Sequence, residues 1–178
     1  RFTPDGKMPA KYGLPKKYII VRFVSWTSNH DKGDRGFENR WKFIEGLSEK
    51  TDARVYITSE SPLPSALEKY RLKIAYKDMH DVLASASLYV GESATMATEA
   101  AILGVPSIYV ATSERGYINE LRSRYGLVYW DRTDERALEH ARQLLGANDI
   151  KRIWAKRRKK MLAEMIDVTG WMVGEVKR

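Results

Sequence analysis

The chain has 178 residues, of which 43% are hydrophobic, so it is long enough to form one domain with a substantial core. It contains no cysteine, which excludes disulfide bonds and thiolate metal sites. No apolar run approaches the roughly 20 residues of a membrane-spanning helix, and no signal-peptide pattern opens the chain. We therefore expect a cytoplasmic protein, and its motifs predict neither a metal site nor a cofactor.

The net charge of +8 is concentrated near the end of the chain. Seven of the 31 basic residues and none of the acidic ones lie in residues 150–161, so the remaining 24 basic residues nearly balance the 23 acidic ones. The seven are Lys151, Arg152, Lys156, Arg157, Arg158, Lys159 and Lys160. A nucleic-acid-binding domain usually spreads positive charge over a binding face. The pattern therefore argues against nucleic acid as a partner.

Residues 1–17 are rich in proline, glycine and lysine, which is typical of a linker. Tyr18–Val24 is nearly all apolar and predicts a central parallel strand. The polar loop 25–36 follows, and it is long for a connection between a strand and a helix. Loops of this kind often carry function, so Ser25 and His30 are candidate ligand contacts, and His30 is also a candidate catalytic group. The alternative is a solvent-exposed loop with a hydrogen-bonded histidine.

Strands and helices alternate through the rest of the chain. The predicted strands cover residues 54–59, 88–90, 107–110 and 127–130, and the predicted helices cover 37–50, 63–70, 78–85, 93–103, 117–125, 134–145 and 150–168. Asp78 and Asp134 are predicted to cap their helices. This alternation predicts a three-layer α/β domain, Rossmann-like, with a mostly parallel sheet. We expect a linker at 1–17, the α/β domain at 18–147 and a C-terminal amphipathic basic helix at 148–178.

The stretch 89–110 predicts a strand, a turn, a helix, a reversal and a second strand. Gly91 ends the first strand, Ser93 or Thr95 can cap the helix, and Gly104 ends it. Because ligands bind beyond the carboxyl ends of parallel strands, the helix start predicts a phosphate-binding site with Ser93, Ala94 and Thr95. The alternative is a capped helix that simply packs on the sheet.

Other charged residues are expected near the same edge. Glu60 follows the strand 54–59, and Glu114 and Arg115 lie in the loop after the strand 107–110. His80 lies in the first turn of a helix, where the helix dipole disfavours its charged form. Glu99 lies about one turn beyond Thr95 and can accept hydrogen bonds from sugar hydroxyls.

The predicted helix 150–168 has an apolar stripe opposite its basic residues. Three roles remain open for it: packing on the domain, crossing to a partner domain, or lying on an anionic membrane surface. A peripheral position at the inner face of the membrane is therefore an alternative to a purely cytoplasmic one. The default expectation is a solvated basic face.

The run 76–117 resembles the donor-binding half of GT-B-type glycosyltransferases. Residues 78–86 resemble the helix before their nucleotide strand, and residues 91–106 resemble their small-residue turn, the helix with a ribose-binding glutamate, and the G-x-P reversal. Residues 112–115 resemble the T-E-R loop of UDP-N-acetylglucosamine 2-epimerases, which share the fold.

The chain also resembles, over most of its length before Leu145, an uncharacterised prokaryotic family that is thought to be GT-B-like. The shared landmarks are Phe2-x-Pro4-Asp5, Arg22-Phe23-Val24-Ser25-Trp26, His30-Asp31, Gly36-Phe37, Ser59-Glu60, Leu63-Pro64, Met79-His80 and Thr95-Met96-x-x-Glu99-Ala100. Such proteins have two Rossmann-like halves. The resemblance implies that this chain is the C-terminal half and that the catalytic base belongs to a missing N-terminal half.

The same resemblance implies roles for individual residues. Ser93 and Thr95 would hold the diphosphate of a nucleotide sugar, Glu99 its ribose, and Met79 and His80 its base. The loop 25–31 would approach the diphosphate or the sugar. The full set of expected nucleotide-sugar contacts is Ser25, His30, Glu60, Met79, His80, Ser93, Ala94, Thr95, Glu99, Glu114 and Arg115.

Three functions follow as alternatives. The first is the nucleotide-sugar-binding half of a glycosyltransferase that uses a UDP-sugar donor without a cofactor. The second is an enzyme like the UDP-N-acetylglucosamine 2-epimerases. The third is a non-catalytic binding or scaffolding module, because a fold does not by itself establish catalysis. The expected partners are a nucleotide-sugar donor and the missing N-terminal domain.

Overall fold

The computed structural model describes residues 2–27, 33–49 and 51–177. The strands are β1 (Tyr18–Phe23), β2 (Arg54–Ser59), β3 (Leu88–Gly91), β4 (Ser107–Val110) and β5 (Val128–Asp131). The helices are α1 (Met8–Lys11), α2 (Arg40–Glu49), α3 (Met79–Ala84), α4 (Ala94–Leu103), α5 (Gly116–Ser123), α6 (Asp134–Gly146), α7 (Ile150–Glu164) and α8 (Val168–Val176), with 3₁₀ turns at Ser65–Tyr70 and Tyr76–Asp78.

The five strands form one sheet in the order β2-β1-β3-β4-β5, and every neighbouring pair is parallel. This confirms the predicted α/β class and parallel sheet. The order reverses direction between β1 and β3, because the chain moves outward to β2 and then returns to the other side of β1. In open parallel sheets such a switch point leaves a crevice at the carboxyl ends of the two strands.

Helices cover both faces of the sheet. On one side α2 packs against α6, and on the other side α3, α5 and α7 pack against α4. The strands β1, β3 and β4 are almost wholly buried between these layers, which explains their nearly continuous apolar sequences. Helix α4 lies close on β3 and β4 because its inner face consists of Ala97, Ala100 and Ala101, all fully buried.

The segment 2–17 makes defined contacts with the domain. Helix α1 packs near α3, and Pro9 is buried. The hydroxyl of Tyr12 donates to the Asp78 carboxylate at 2.6 Å, and Lys11 Nζ lies 3.1 Å from the same carboxylate. Asp78 therefore does not cap α3 with its side chain, contrary to the sequence prediction. The proposed division at residue 17 remains a prediction.

Two further local predictions were wrong. Thr133, not Asp134, caps α6, because the Asp134 carboxylate accepts hydrogen bonds from the N–H groups of Glu38 and Asn39 instead. The predicted helix 150–168 ends at Glu164, and a second helix, α8, begins at Val168. The backbone leaves the helical conformation at Met165, and Asp167 then caps α8 by accepting from the Gly170 N–H at 3.0 Å.

The two C-terminal helices differ in how they are held. Helix α7 is anchored by Trp154 and Met161, which are buried, and the Trp154 indole donates to the Leu127 carbonyl oxygen at 3.2 Å. No residue of α8 is buried. Within the described ranges, no helix is both long and apolar enough to cross a membrane. Contact of 150–168 with an anionic membrane stays a prediction.

Candidate functional site

The turn from β3 into α4 is built for close approach of β1. A Cβ at Gly91 would lie 2.6 Å from the Tyr89 hydroxyl oxygen and 2.9 Å from the Arg22 carbonyl oxygen, so only glycine fits. Tyr89 is fully buried, and its hydroxyl donates to the Ser93 carbonyl oxygen at 3.1 Å. Burial raises the pKa of Tyr89 well above its usual range, so the phenol stays neutral and keeps this hydrogen bond.

The start of α4 presents unpaired backbone donors. Ser93 is the cap, and its hydroxyl accepts from the Met96 N–H at 3.3 Å. Among the described residues, no hydrogen-bond acceptor faces the N–H groups of Ala94 and Thr95. These groups and the positive end of the helix dipole favour a negatively charged ligand. The sequence prediction of a capped helix with free amides at its start is confirmed.

Glu92 is a structural centre that the sequence analysis missed. Its side chain is only 1% exposed, yet it carries a carboxylate. The carboxylate accepts from the N–H groups of Val24 at 2.8 Å and Phe37 at 3.0 Å, and from Arg40 Nη2 at 2.6 Å. It therefore joins the ends of β1 and β3 to the start of α2. Its donors lie 52 to 68 positions away in the chain, so no local sequence pattern reveals this role.

Asp34 fixes the other wall of the site. Its buried carboxylate accepts from the Ser113 N–H and hydroxyl, from the Thr112 hydroxyl at 2.6 Å, and from Arg115 Nη2 at 3.2 Å. Burial opposes ionisation, but the hydrogen bonds from Ser113 and Thr112 outweigh it and hold the pKa of Asp34 below its usual value. The loop after β4 is thereby tied to the loop after β1, and Arg115 is held beside the start of α5.

Glu60 stands at the end of β2, as predicted. It forms an ion pair with Arg22 at 2.8 Å and accepts from the Ser25 N–H at 3.0 Å. Burial opposes ionisation, but the hydrogen bonds from Ser25 and Arg22 lower the pKa of Glu60. The carboxylates of Glu60, Glu92 and Asp34 thus each have an arginine partner, which reduces the repulsion that they would exert on an anionic ligand.

These elements enclose a pocket of about 240 Å³, which we call the rim pocket. It lies beyond the carboxyl ends of β1, β2, β3 and β4. Its lining includes five of the predicted contacts: Glu60, Ser93, Ala94, Thr95 and Arg115. Ser25 is joined to this group through its hydrogen bonds with Glu60.

Three aromatic residues of the rim pocket were not predicted: Trp26, Tyr109 and Tyr117. Trp26 has a φ of 55°, which is unusual for a residue with a bulky side chain. Its indole Nε1 is buried and has no hydrogen-bond partner among the described residues. Such strain and unmet hydrogen bonding cluster at functional sites.

A second group of predicted residues lies along α3 and α4, outside the rim pocket. His80 Nε2 lies 3.4 Å from Glu99 Oε1, and the ring of Phe2 packs edge-on against His80 with 5.9 Å between centroids. Met79 precedes His80 at the start of α3. Thr95 and Glu99 are four residues apart on α4 and share one face, so this group continues from the rim pocket.

The remaining predicted contacts have different outcomes. Glu114 accepts from the Asn119 side-chain amide at 2.8 Å and does not line the rim pocket. His30 lies outside the described residues. Across the described part of the chain, no group of three or more histidine or carboxylate side chains is arranged to hold a metal ion.

Comparisons with solved structures identify proteins of similar architecture. Spinosyn forosaminyltransferase SpnP matches with a TM-score of 0.57 and 16% identity, covering 93% of this chain and 45% of that one. Glycosyltransferase VinC in complex with dTDP matches with a TM-score of 0.54 and 19% identity, covering 82% and 37%. A Listeria monocytogenes structure described as a UDP-N-acetylglucosamine 2-epimerase matches with a TM-score of 0.55 and 16% identity, covering 87% and 46%.

The chain has a partial GT-B-like fold. This confirms the resemblance predicted from the sequence at the level of architecture. The chain spans less than half the length of the structures that it matches. No family model and no curated protein matches the sequence, so the function has to be argued from the site.

Proposed function

We propose that this chain is the nucleotide-sugar-binding half of a GT-B-type glycosyltransferase. The observation that carries the proposal is the rim pocket, in which the free amides of Ala94 and Thr95 open into a cavity beside Arg115 at the switch point of the sheet. The VinC structure contains dTDP, which supports a nucleoside diphosphate as the ligand.

In this proposal, the diphosphate lies against the start of α4. The N–H groups of Ala94 and Thr95 and the Thr95 hydroxyl donate to its oxygens, and Arg115 adds positive charge. The nucleoside then extends along α4, where Glu99 accepts from the ribose hydroxyls, and His80 and Met79 border the base. When the glycosidic bond to the diphosphate breaks, the same donors stabilise the negative charge on the leaving group.

Calorimetric titration with UDP and with dTDP tests the proposal. We expect binding by the unmodified chain, and about tenfold weaker binding by Glu99→Ala because the ribose loses a charge-assisted hydrogen bond. The matched control is Glu135→Ala, which removes an exposed glutamate from α6 and should leave affinity unchanged. The absence of binding by either nucleotide, both to the chain and to the longer two-half protein that the proposal implies, would contradict the proposal.

The second candidate is an epimerase, because one of the matching structures is described as a UDP-N-acetylglucosamine 2-epimerase. Both activities would use the same donor site, so nucleotide binding does not separate them. Incubating the longer protein with UDP-N-acetylglucosamine separates them. A changed sugar without an acceptor indicates epimerisation, whereas release of UDP only with an acceptor indicates transfer.

A further inference from the structure

A larger pocket lies at the free edge of the sheet, and none of its lining residues belongs to the rim pocket. This edge pocket has a volume of about 510 Å³. It is formed by β5 with residues of α5, α6 and α7. In the described chain β5 is the last strand of the sheet, so its outer edge pairs with no other strand.

Positive charge dominates the edge pocket. Its lining contains the arginines Arg122, Arg132, Arg136 and Arg157. Asp131 is the carboxylate among the described lining residues, and its side chain is only 4% exposed. Both of its oxygens lie within 3.0 Å of His140 Nδ1, so the hydrogen bonds of Asp131 go to His140.

Three of the arginines are held in place by contacts other than a close ion pair. The guanidinium carbons of Arg122 and Arg132 lie 5.2 Å and 4.6 Å from the centroid of the Trp130 ring. Arg157 lies 4.6 Å from the Trp154 ring centroid and donates to the Gly126 carbonyl oxygen at 2.6 Å. Stacking on an aromatic ring fixes a guanidinium group and leaves its N–H edge available to a ligand.

The carboxylates around the pocket neutralise these arginines only in part. Glu114 approaches Arg132 at 3.9 Å, and Glu139 binds Arg136 at 3.0 Å, both on exposed surface where ion pairs contribute little. Charged residues on an edge strand also prevent pairing with other strands. That role does not require four arginines from different elements to line one concave pocket.

We propose that the edge pocket binds a phosphate-bearing ligand with at least two negative charges, at a site separate from the proposed donor site. Planar guanidinium groups bind phosphate oxygens through two parallel hydrogen bonds, and several around one cavity favour a diphosphate or a bisphosphate over a single anion. The site is independent of the proposed nucleotide-sugar binding.

Titration of the ¹⁵N-labelled chain with inorganic pyrophosphate, followed by NMR, tests this proposal. The Trp130 indole N–H, which donates to the Ala111 carbonyl oxygen at 2.9 Å, reports on the edge pocket. The amides of Ala94 and Thr95 report separately on the rim pocket. We expect the Trp130 indole and the amides of β5 to shift on pyrophosphate addition, whatever happens at Ala94 and Thr95.

The double variant Arg122→Gln/Arg132→Gln should weaken the affinity for pyrophosphate, measured from the shifts of these resonances, at least tenfold. Both side chains are exposed, so the fold should persist. The control Lys42→Gln/Lys73→Gln removes the same charge from exposed positions outside the pocket and should leave the response intact. No shift at Trp130 and β5, or an equal response in both double variants, would overturn the proposal.

The phosphate could belong to a soluble ligand or to a lipid head group. Sedimentation with phosphatidylcholine vesicles that contain phosphatidic acid distinguishes them. If the chain pellets and the arginine double variant pellets less than the lysine control, the proposal is supported with a lipid phosphate as ligand. If pelleting does not depend on Arg122 and Arg132 while pyrophosphate shifts Trp130, the proposal is supported with a soluble ligand.

Discussion

Glu92 shows how one buried carboxylate can set the geometry of a site. Its three donors come from Val24, Phe37 and Arg40, on segments that lie far from it in sequence. An isolated buried charge is costly, but one with hydrogen bonds and a counter-ion stabilises the arrangement that satisfies it. Glu92 thus holds the mouth of the rim pocket in place.

The substitution Gly36→Ala should disturb this arrangement, because the added Cβ would overlap the Glu92 side chain. We expect the free energy of unfolding to fall by about 2 kcal/mol or more, as for other changes that displace a buried charge from its partners. Urea unfolding measures the effect. Gly146→Ala is the control, since a Cβ there meets no atom within 4 Å, and an equal effect of both changes would contradict the account.

The free energy of unfolding should depend on pH through Asp34, because folding lowers the pKa of its carboxyl group. Since the folded protein lowers the pKa of Asp34 below the ordinary value of 3.8, the ionised group stabilises the fold above about pH 4. This contribution is lost as the pH falls through the lower, folded pKa. We expect Asp34→Asn to unfold at a lower temperature than the unmodified chain at about pH 6, with the difference shrinking below about pH 4.

Thermal unfolding between about pH 2 and pH 6 checks this prediction. The control is Asp149→Asn, which changes an exposed aspartate at the start of α7. A difference between Asp34→Asn and the unmodified chain that stays constant over the whole range would show that the carboxylate acts through shape alone.

Residues whose roles follow from local backbone rules could be predicted from the sequence, and residues with distant partners could not. Gly91, Ser93 and Gly104 mark a strand end, a helix cap and a left-handed helix end, and the structure places each in that role. Asp78 and Asp134 stand at typical capping positions, but neither caps its helix with its side chain. The Asp78 carboxylate accepts a hydrogen bond from the Tyr12 hydroxyl, and the Asp134 carboxylate accepts one from the Glu38 N–H. Those donors are distant in sequence, so spacing does not reveal them.

At the scale of elements, β1, β3 and β4 were the most predictable because they are buried on both faces and therefore nearly all apolar. The C-terminal helix was the least predictable. Its apolar stripe continues past Met165, but the backbone breaks there and Asp167 starts a new helix. The hydrophobic spacing alone therefore did not predict where α7 ends, because the Asp167 side chain caps a separate helix.

Helix α7 is expected to be part of the folded core, and Trp154 is the larger of its two buried side chains. Trp154→Ala removes a side chain that is 1% exposed, together with its hydrogen bond to Leu127. The free energy of unfolding should therefore fall by about 3–5 kcal/mol. Urea denaturation measures the change. Trp171→Ala on α8, where the side chain is 58% exposed, should cost less than about 0.5 kcal/mol, and a comparable loss from both variants would contradict this view of the two helices.

At the scale of the whole molecule, the candidate site gathers residues from four strand ends and the start of α4. The sequence predicted Glu60, Ser93, Ala94, Thr95 and Arg115 because each follows or begins an element at the carboxyl edge of the sheet. Trp26 was missed because its strained conformation has no signature in the sequence. Glu114 was predicted because it lies in the loop after β4, but its side chain accepts a hydrogen bond from Asn119 and does not line the pocket.

The fold should be independent of α8. Since no residue of this helix is buried, deletion of residues 166–178 should leave the melting temperature of the chain within about 2 °C of its original value. Differential scanning calorimetry measures this. A large drop would show that the exposed apolar residues of α8 stabilise the domain.

If backbone amides at the start of α4 bind the diphosphate of a nucleotide, removing one of them by proline substitution should weaken nucleotide binding. Proline is tolerated at the first residue of a helix but lacks an N–H, and Ser93 before it already has the extended backbone that proline requires. Ala94→Pro therefore removes one proposed donor, and Val168→Pro makes the same change at the start of α8.

The measurement is calorimetric titration of both variants and of the unmodified chain with UDP. We expect UDP to bind the unmodified chain and Val168→Pro equally, and to bind Ala94→Pro at least tenfold more weakly, because a charge-assisted hydrogen bond contributes about 1.5–3 kcal/mol. Equal affinity of Ala94→Pro and the unmodified chain for UDP would contradict this expectation.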